Sequence, residues 1–173
     1  VSCILSLRTK DETTLLAYER LFRLAHTPQE MLRLKVADIE KTIYPVGFYR
    51  TKARVILGIC RDVLEKFSGR VPNDIDTLLT MKGVGRKTAN LVLTEGFGLP
   101  GICVDTHVHR ISNRLGYVRT KTPYDTEMML RKKLPPKHWI DYNALLVTWG
   151  QNICKPISPL CSRCWIRGFC SRK

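Results

Sequence analysis

Apolar residues recur along this chain at spacings of three and four and never in sustained alternation, so the pattern predicts an all-α protein. The clearest helix covers residues 50–67, where Ala53, Ile56, Ile59/Cys60, Val63/Leu64 and Phe67 form one stripe and Gly69 follows as a stop. Ahead of it, Asp11-Glu12 starts an amphipathic helix carrying Leu15, Leu16, Leu21 and Phe22. Thr27-Pro28-Gln29-Glu30 combines a capping box with proline at the first helical position, so another helix begins there. A short helix around Ala37 to Ile43 has to end at Tyr44-Pro45-Val46-Gly47, which cannot continue it. The opening Val1-Ser2-Cys3-Ile4-Leu5-Ser6-Leu7 is apolar and lacks an initiator Met, and reads as the inside of an element whose earlier part is missing.

Further on, Pro72-Asn73-Asp74 starts one helix and a second runs from Arg86 to about Phe97, before Gly98 and Pro100. Val104, Val108, Ile111 and Leu115 mark a face of the next, and Thr122-Pro123-Tyr124-Asp125 caps the one after. The last stripe, Trp139, Tyr142, Leu146, Trp149 and Ile153, reads as core rather than as a ligand box. No apolar run approaches the roughly 18 residues that span a bilayer, and no signal peptide opens the chain.

Between two of these helices, Met81-Lys82-Gly83-Val84-Gly85-Arg86-Lys87-Thr88-Ala89-Asn90 reads as a tight hairpin over about residues 74–97. Gly83 and Gly85 flank Val84, which lets the turn use positive φ and keeps side-chain bulk off its backbone. The amides opening the second helix lack partners within it, and its dipole favours an anion such as a backbone phosphate. Lys87 follows within one turn, held near whatever nucleic acid the hairpin grips, as one more phosphate cation on the plainest reading.

Charge strengthens the phosphate reading. With 29 Lys+Arg against 15 Asp+Glu, the net charge of +14 points to a polyanionic partner, nucleic acid or an acidic membrane surface, unless it only solvates the surface.

Seven cysteines, an odd number with four in the last twenty residues, argue for a metal site in a reducing compartment rather than a disulfide framework. Cys154, Cys161, Cys164 and Cys170 form C-x6-C-x2-C-x5-C, enough soft thiolates to hold an iron–sulfur cluster; tetrahedral zinc is the rival. Lys155, Arg163, Arg167, Arg172 and Lys173 punctuate this segment, which contains no Asp or Glu. These cations either press on phosphates or merely solvate the tail. Cys3, Cys60 and Cys103 sit in apolar surroundings and read as small buried hydrophobes.

The hairpin with Lys87, the stretch Val104-Asp105-Thr106-His107-Val108-His109-Arg110 and the cysteine tail, in that order, resemble the endonuclease III family of helix-hairpin-helix DNA glycosylases. Tyr44-Pro45-Val46-Gly47-Phe48-Tyr49-Arg50-Thr51-Lys52-Ala53 also looks like a loop of that family, and the resemblance runs nearly end to end. It implies a two-lobed fold, with a six-helix lobe over about 1–99 carrying the hairpin and a cluster lobe over 100–173 whose loop spans 154–170. A four-iron cluster, [4Fe-4S], is implied on Cys154, Cys161, Cys164 and Cys170. Damaged double-stranded DNA is the implied partner, with no membrane and a monomeric protein working inside the cell, in the nucleoid or the nucleus according to its source. A further N-terminal helix is also implied, and it does not precede Val1.

The implied reaction removes oxidised pyrimidines. The family's lysine, here Lys87, attacks the sugar of a flipped-out nucleotide, the base leaves, a Schiff base forms and β-elimination cuts the strand. The amine has to be uncharged, and an ionised Asp105 alone would oppose that, so desolvation or cations such as Arg86 must outweigh it, or the proton leaves during the reaction. Asp105 opens a helix, as an N-cap and as a charge that steadies a cationic sugar. Gly83, Val84, Gly85 and Arg86 are the implied grip on DNA. Phe48 matches a wedge that opens the base stack, though a structural Phe fits the loop nearly as well. Arg8 stands where relatives commonly carry a Gln that fills the gap left by the flipped base, and its donors would favour different opposite bases. His107 and His109 point to different helix faces, poor for joint metal binding, and at least one is expected to face the DNA, His107 foremost. A mismatch or purine-lesion glycosylase of the same superfamily and a non-catalytic DNA-binding module are the alternatives.

Overall fold

Among residues 1–171, which the computed structural model describes, all regular structure is helical and no strand forms. Arg172 and Lys173 of the basic tail lie outside the described residues. The chain divides into two compact units, Val1–Ala89 and Asn90–Lys173.

The first unit contains α1 (Ser2–Ser6), α2 (Asp11–Leu24), α3 (Pro28–Arg33), α4 (Val36–Ile43), α5 (Tyr49–Lys66) and α6 (Ile75–Thr80), and ends inside α7 (Arg86–Leu91). The long amphipathic α5 is its axis, with α3 and α4 packed along it and α1 beside α2. Leu5, Leu21, Ile39, Ile43, Ala53 and Ile56 are wholly buried in the shared core. Local signals work as their chemistry requires. Thr27 accepts the Glu30 N–H while Glu30 accepts back from the Thr27 N–H, a complete capping box. The chain leaves α4 through a cis Tyr44–Pro45 peptide. Beyond α5, Gly69 at φ +78° returns its N–H to the Val63 carbonyl at 2.8 Å.

In the second unit, α7 passes into a π-helical turn (Val92–Gly96), and an extended segment then leads to α8 (Thr106–Arg114), α9 (Pro123–Lys133) and α10 (Trp139–Asn152). Ile102, Val108, Ile111, Val118 and Leu130 form the core, with Trp139, Tyr142 and Trp149 of the expected α10 stripe packed against it. Val104 precedes α8 in extended backbone instead of lying on its face, although it is buried in the same cluster.

The division falls at Ala89/Asn90, ten residues before the boundary at 99/100 expected from Leu99, Pro100 and Gly101. The Asn90 side-chain oxygen accepts the Ile102 N–H at 3.1 Å and an Arg131 N–H at 2.9 Å, so the end of α7 is held by the second unit's own residues.

Candidate functional site

In the first unit, Asp74 caps α6 by accepting the Thr77 N–H at 2.8 Å, and the turn closes with Val84 N–H on the Met81 carbonyl at 3.0 Å. Gly83 is left-handed at φ +87°, and a Cβ on it would lie 2.6 Å from a Val55 methyl on α5, so only glycine fits. Gly85 differs from expectation. Its φ is not positive and a Cβ there would meet nothing within 4 Å, so it leaves the hairpin backbone bare without relieving any strain. Arg86 opens α7 and Lys87 follows as its second residue, exposed, whereas the next three residues, Thr88, Ala89 and Asn90, are buried.

Arg8 and Phe48, forty residues apart in sequence, form a pair. Both are non-glycine residues in the left-handed region, at φ 52° and 58°, and the Arg8 guanidinium lies 5.5 Å from the centre of the Phe48 ring. Phe48 is 63% exposed. Arg8, Phe48, Val55 and Gly83 line one groove of about 350 Å³, so the two loops and the hairpin turn share a surface of the first unit.

In the second unit, Asp105 is the N-cap of α8, its Oδ1 accepting the Val108 N–H at 2.8 Å. Its backbone approach is pinned from both sides, by Asn90 on the Ile102 N–H and by Asn143, which donates to the Cys103 carbonyl at 3.0 Å. His109 serves the interior: its ring meets the Thr126 hydroxyl at 2.7 Å within a network that includes Asn113 and Thr120. His107 is half-buried and close to α10, accepting from Arg110 at 3.0 Å.

The four cysteines, dispersed over 17 residues, line a single hollow together with Arg114 and Trp149. Among the described residues no three His, Cys, Asp or Glu side chains close on a point. Two arginines one turn apart on α8 secure this loop. Arg110 donates to the Cys154 carbonyl at 2.8 Å, and Arg114 reaches the carbonyls of Lys155 and Pro156 at 2.7 and 2.8 Å and the Cys154 sulfur at 3.4 Å. The Cys170 thiol in turn donates to the Arg114 carbonyl at 3.3 Å. Their i, i+4 spacing was visible in the sequence, but what they hold was not. Arg163 and Arg167 are exposed on the loop, beside Trp165, which is 88% exposed and edge-on to Trp149 at 6.0 Å.

Among the described residues, an all-helical fold carrying a glycine hairpin and a capped aspartate defines a helix-hairpin-helix class of protein. Residues 1–136 match the family model described as HhH-GPD superfamily base excision DNA repair protein. Over 170 residues, 98% of the chain, it is 49% identical to endonuclease III of Thermotoga maritima, of which it spans 80%. It is 40% identical to endonuclease III homolog 1, chloroplastic, of Arabidopsis thaliana, spanning 47% of that longer chain. A trapped endonuclease III–DNA covalent intermediate, an estranged-adenine complex, superposes with a TM-score of 0.93 at 36% identity, covering 99% of this chain and 81% of the other. The chain belongs to the HhH-GPD superfamily of base excision DNA repair proteins and, within it, to the endonuclease III family.

Proposed function

We propose that the protein is a bifunctional DNA glycosylase and abasic-site lyase that excises oxidised pyrimidines from duplex DNA. The observation that carries this reading is the groove of the first unit, where an exposed cation–aromatic pair, Arg8 and Phe48, shares a surface with the hairpin turn that leads to Lys87. In this reading Arg8 and Phe48 enter the duplex while Gly83, Val84, Gly85 and Arg86 hold the backbone phosphate. The extruded nucleotide is then presented to the amine.

The Lys87 nitrogen gives its lone pair to the sugar C1′ as the C1′–N bond breaks and the base leaves with that bonding pair. The nitrogen loses its proton, the ring opens, and a cationic Schiff base remains. Loss of a proton from C2′ then expels the 3′ phosphate and cuts the strand. Asp105 has one oxygen engaged as the helix cap, and the other is the negative charge that steadies the cationic sugar. The relative solved as a trapped covalent intermediate with DNA supports this sequence of steps.

The cysteine loop takes a [4Fe-4S] cluster on Cys154, Cys161, Cys164 and Cys170. Four soft thiolates lining one hollow would hold such a cluster, and the C-x6-C-x2-C-x5-C spacing favours it over the paired knuckles of a zinc module. The cluster would cross-link the loop and hold Lys155, Arg163 and Arg167 toward phosphates. Among the described residues no helix is long and apolar enough to cross a membrane. The protein works as a monomer where duplex DNA is kept and thiols stay reduced.

Borohydride reduction during turnover tests the nucleophile. Wild type incubated with a duplex carrying an oxidised pyrimidine yields a covalent adduct, and Lys87→Gln yields none; an undiminished adduct overturns the assignment. A panel of oxidised, mismatched and alkylated duplexes tests the lesion class.

A further inference from the structure

We propose that Lys52 is a positioning residue, whose buried ammonium locks the Arg8 and Phe48 loops into one rigid unit for entering duplex DNA; this rests on the function proposed above. Lys52 lies on the buried face of α5, level with Ala53 and Ile56, where an aliphatic side chain would be the ordinary occupant. Its Nζ reaches three acceptors: the carbonyls of Leu5 at 2.8 Å and Leu7 at 2.5 Å, and the Thr9 hydroxyl at 3.1 Å. An ammonium has three donors, and all three are used.

The network continues through Thr9 without slack. Its hydroxyl donates to the Leu7 carbonyl at 3.2 Å and accepts the Gly47 N–H at 3.1 Å as well as the Lys52 proton, which is the full capacity of one hydroxyl. The first helical bond of α5 runs from the Lys52 backbone N–H to the Phe48 carbonyl at 3.0 Å, so the second loop leads straight into the residue that holds the first. One residue therefore holds the loop of Arg8 by its side chain and the loop of Phe48 by its backbone. The loops also meet without an intermediary, because a Cβ on Gly47 would stand 2.6 Å from the Arg8 carbonyl oxygen.

Capping the end of α1 explains the bonds to Leu5 and Leu7, but not the rest. It requires neither the bridge through Thr9 to Gly47 nor two exposed residues held left-handed with their side chains in contact. Left-handed backbone at non-glycine residues persists where the surroundings over-determine it, and such sites cluster where ligands are engaged. Guanidinium and aromatic faces are also what unstacked bases pack against. A buried cation bonded to Leu7 and Thr9, on either side of Arg8, and bridged through Thr9 to Gly47 beside Phe48 sets the placement of the pair, and placement is what duplex opening requires.

Lys52→Met and Thr9→Val test this, the second being nearly isosteric and removing only the hydroxyl bridge. Strand cleavage is compared on an abasic site in duplex and in single-stranded DNA, since only the duplex has to be opened. Both variants are expected to lose about 10–100-fold on the duplex with no change on the single strand. A 2-aminopurine opposite a non-cleavable abasic analogue in duplex reports unstacking directly, and its fluorescence rise on binding is expected in wild type and lost in both variants. Wild-type duplex rates in both variants overturn the proposal, and so does an equal loss on both substrates, the mark of a general folding defect. If wild type cleaves neither substrate, the proposed chemistry fails, and the 2-aminopurine signal alone decides for or against the lock.

Discussion

The side-chain oxygen of Asn90 accepts the backbone N–H of Ile102 at 3.1 Å, three residues before the helix cap Asp105. Asn90 lies three residues beyond Lys87 on α7, so the end of the hairpin helix and the approach to the aspartate are joined by one buried amide. The same oxygen accepts from Arg131, whose Nε is paired with the buried carboxylate of Glu127 at 3.0 Å. The segment that sets Asp105 is therefore held by a polar network.

Asn90→Ala removes an acceptor shared by a buried N–H and a guanidinium. It is expected to lower the unfolding free energy by about 2–3 kcal/mol in urea titration. A loss below about 0.5 kcal/mol would show that the amide oxygen is not what matters at this position.

The two hairpin glycines should separate stability from binding. Gly83→Ala forces a methyl to within 2.6 Å of Val55 on left-handed backbone, a cost of about 2–4 kcal/mol. Adding Val55→Ala relieves the clash but not the backbone strain, so recovery should be partial. Gly85→Ala meets nothing within 4 Å and should melt like wild type while weakening DNA binding, because its bare backbone is where the phosphate is proposed to sit. A wild-type affinity in Gly85→Ala would remove that residue from the interface.

What could be read in advance follows the range of the interactions. The capping box at Thr27, the caps at Asp74, Asp105 and Thr122, and the stripes of α5 and α10 depend on neighbours a few residues away, and they form as their chemistry requires. Gly83 was legible as a left-handed turn residue, whereas the proximity of Val55, 28 residues earlier, was not. The cysteine spacing pointed to a shared site, but the arginines that hold the loop lie 40 residues upstream on another helix. Lys52 did leave a trace, as a charged residue on an otherwise apolar stripe. Its partners are more than 40 residues away, and no spacing rule reaches that far. Pro100 and Gly101 look like a break in the sequence, while the long-range bonds of Asn90, ten residues earlier, leave no local mark.

Arg114 should govern how well the cysteine loop keeps its cluster. Arg114→Ala abandons the carbonyls of Lys155 and Pro156 and the sulfur of Cys154, at a cost of about 2–3 kcal/mol. As purified, the variant is expected to show less iron per chain and a cluster absorbance that bleaches faster in air. Arg114→Lys, a point cation without the guanidinium fork, should fall between the two. A wild-type iron content and bleaching rate in Arg114→Ala would mean that the four cysteines organise the loop unaided.

Lys52 makes a prediction about pH whose sign is opposite to that of an ordinary paired lysine. Burial lowers its pKa from 10.5 to about 8. Below about pH 8 the folded and unfolded chains both carry the proton, and the cost of burying the charge is constant. Between about 8 and 10.5 the unfolded chain keeps a proton that the native state has released, so the contribution of this residue to stability rises with pH. The wild-type minus Lys52→Met difference in unfolding free energy should therefore grow by on the order of 3 kcal/mol across that window and stay flat below pH 7. The lock moves the other way. A neutral amine has two hydrogens for the three acceptors at Leu5, Leu7 and Thr9, so one bond is lost as the pH passes about 8. The ratio of duplex to single-strand cleavage in wild type should fall over the same range in which Lys52 adds stability, and be pH-independent in Lys52→Met. Loss of stability and of the cleavage ratio together would show that the ammonium holds up the fold itself, and that its grip on Arg8 and Phe48 is incidental.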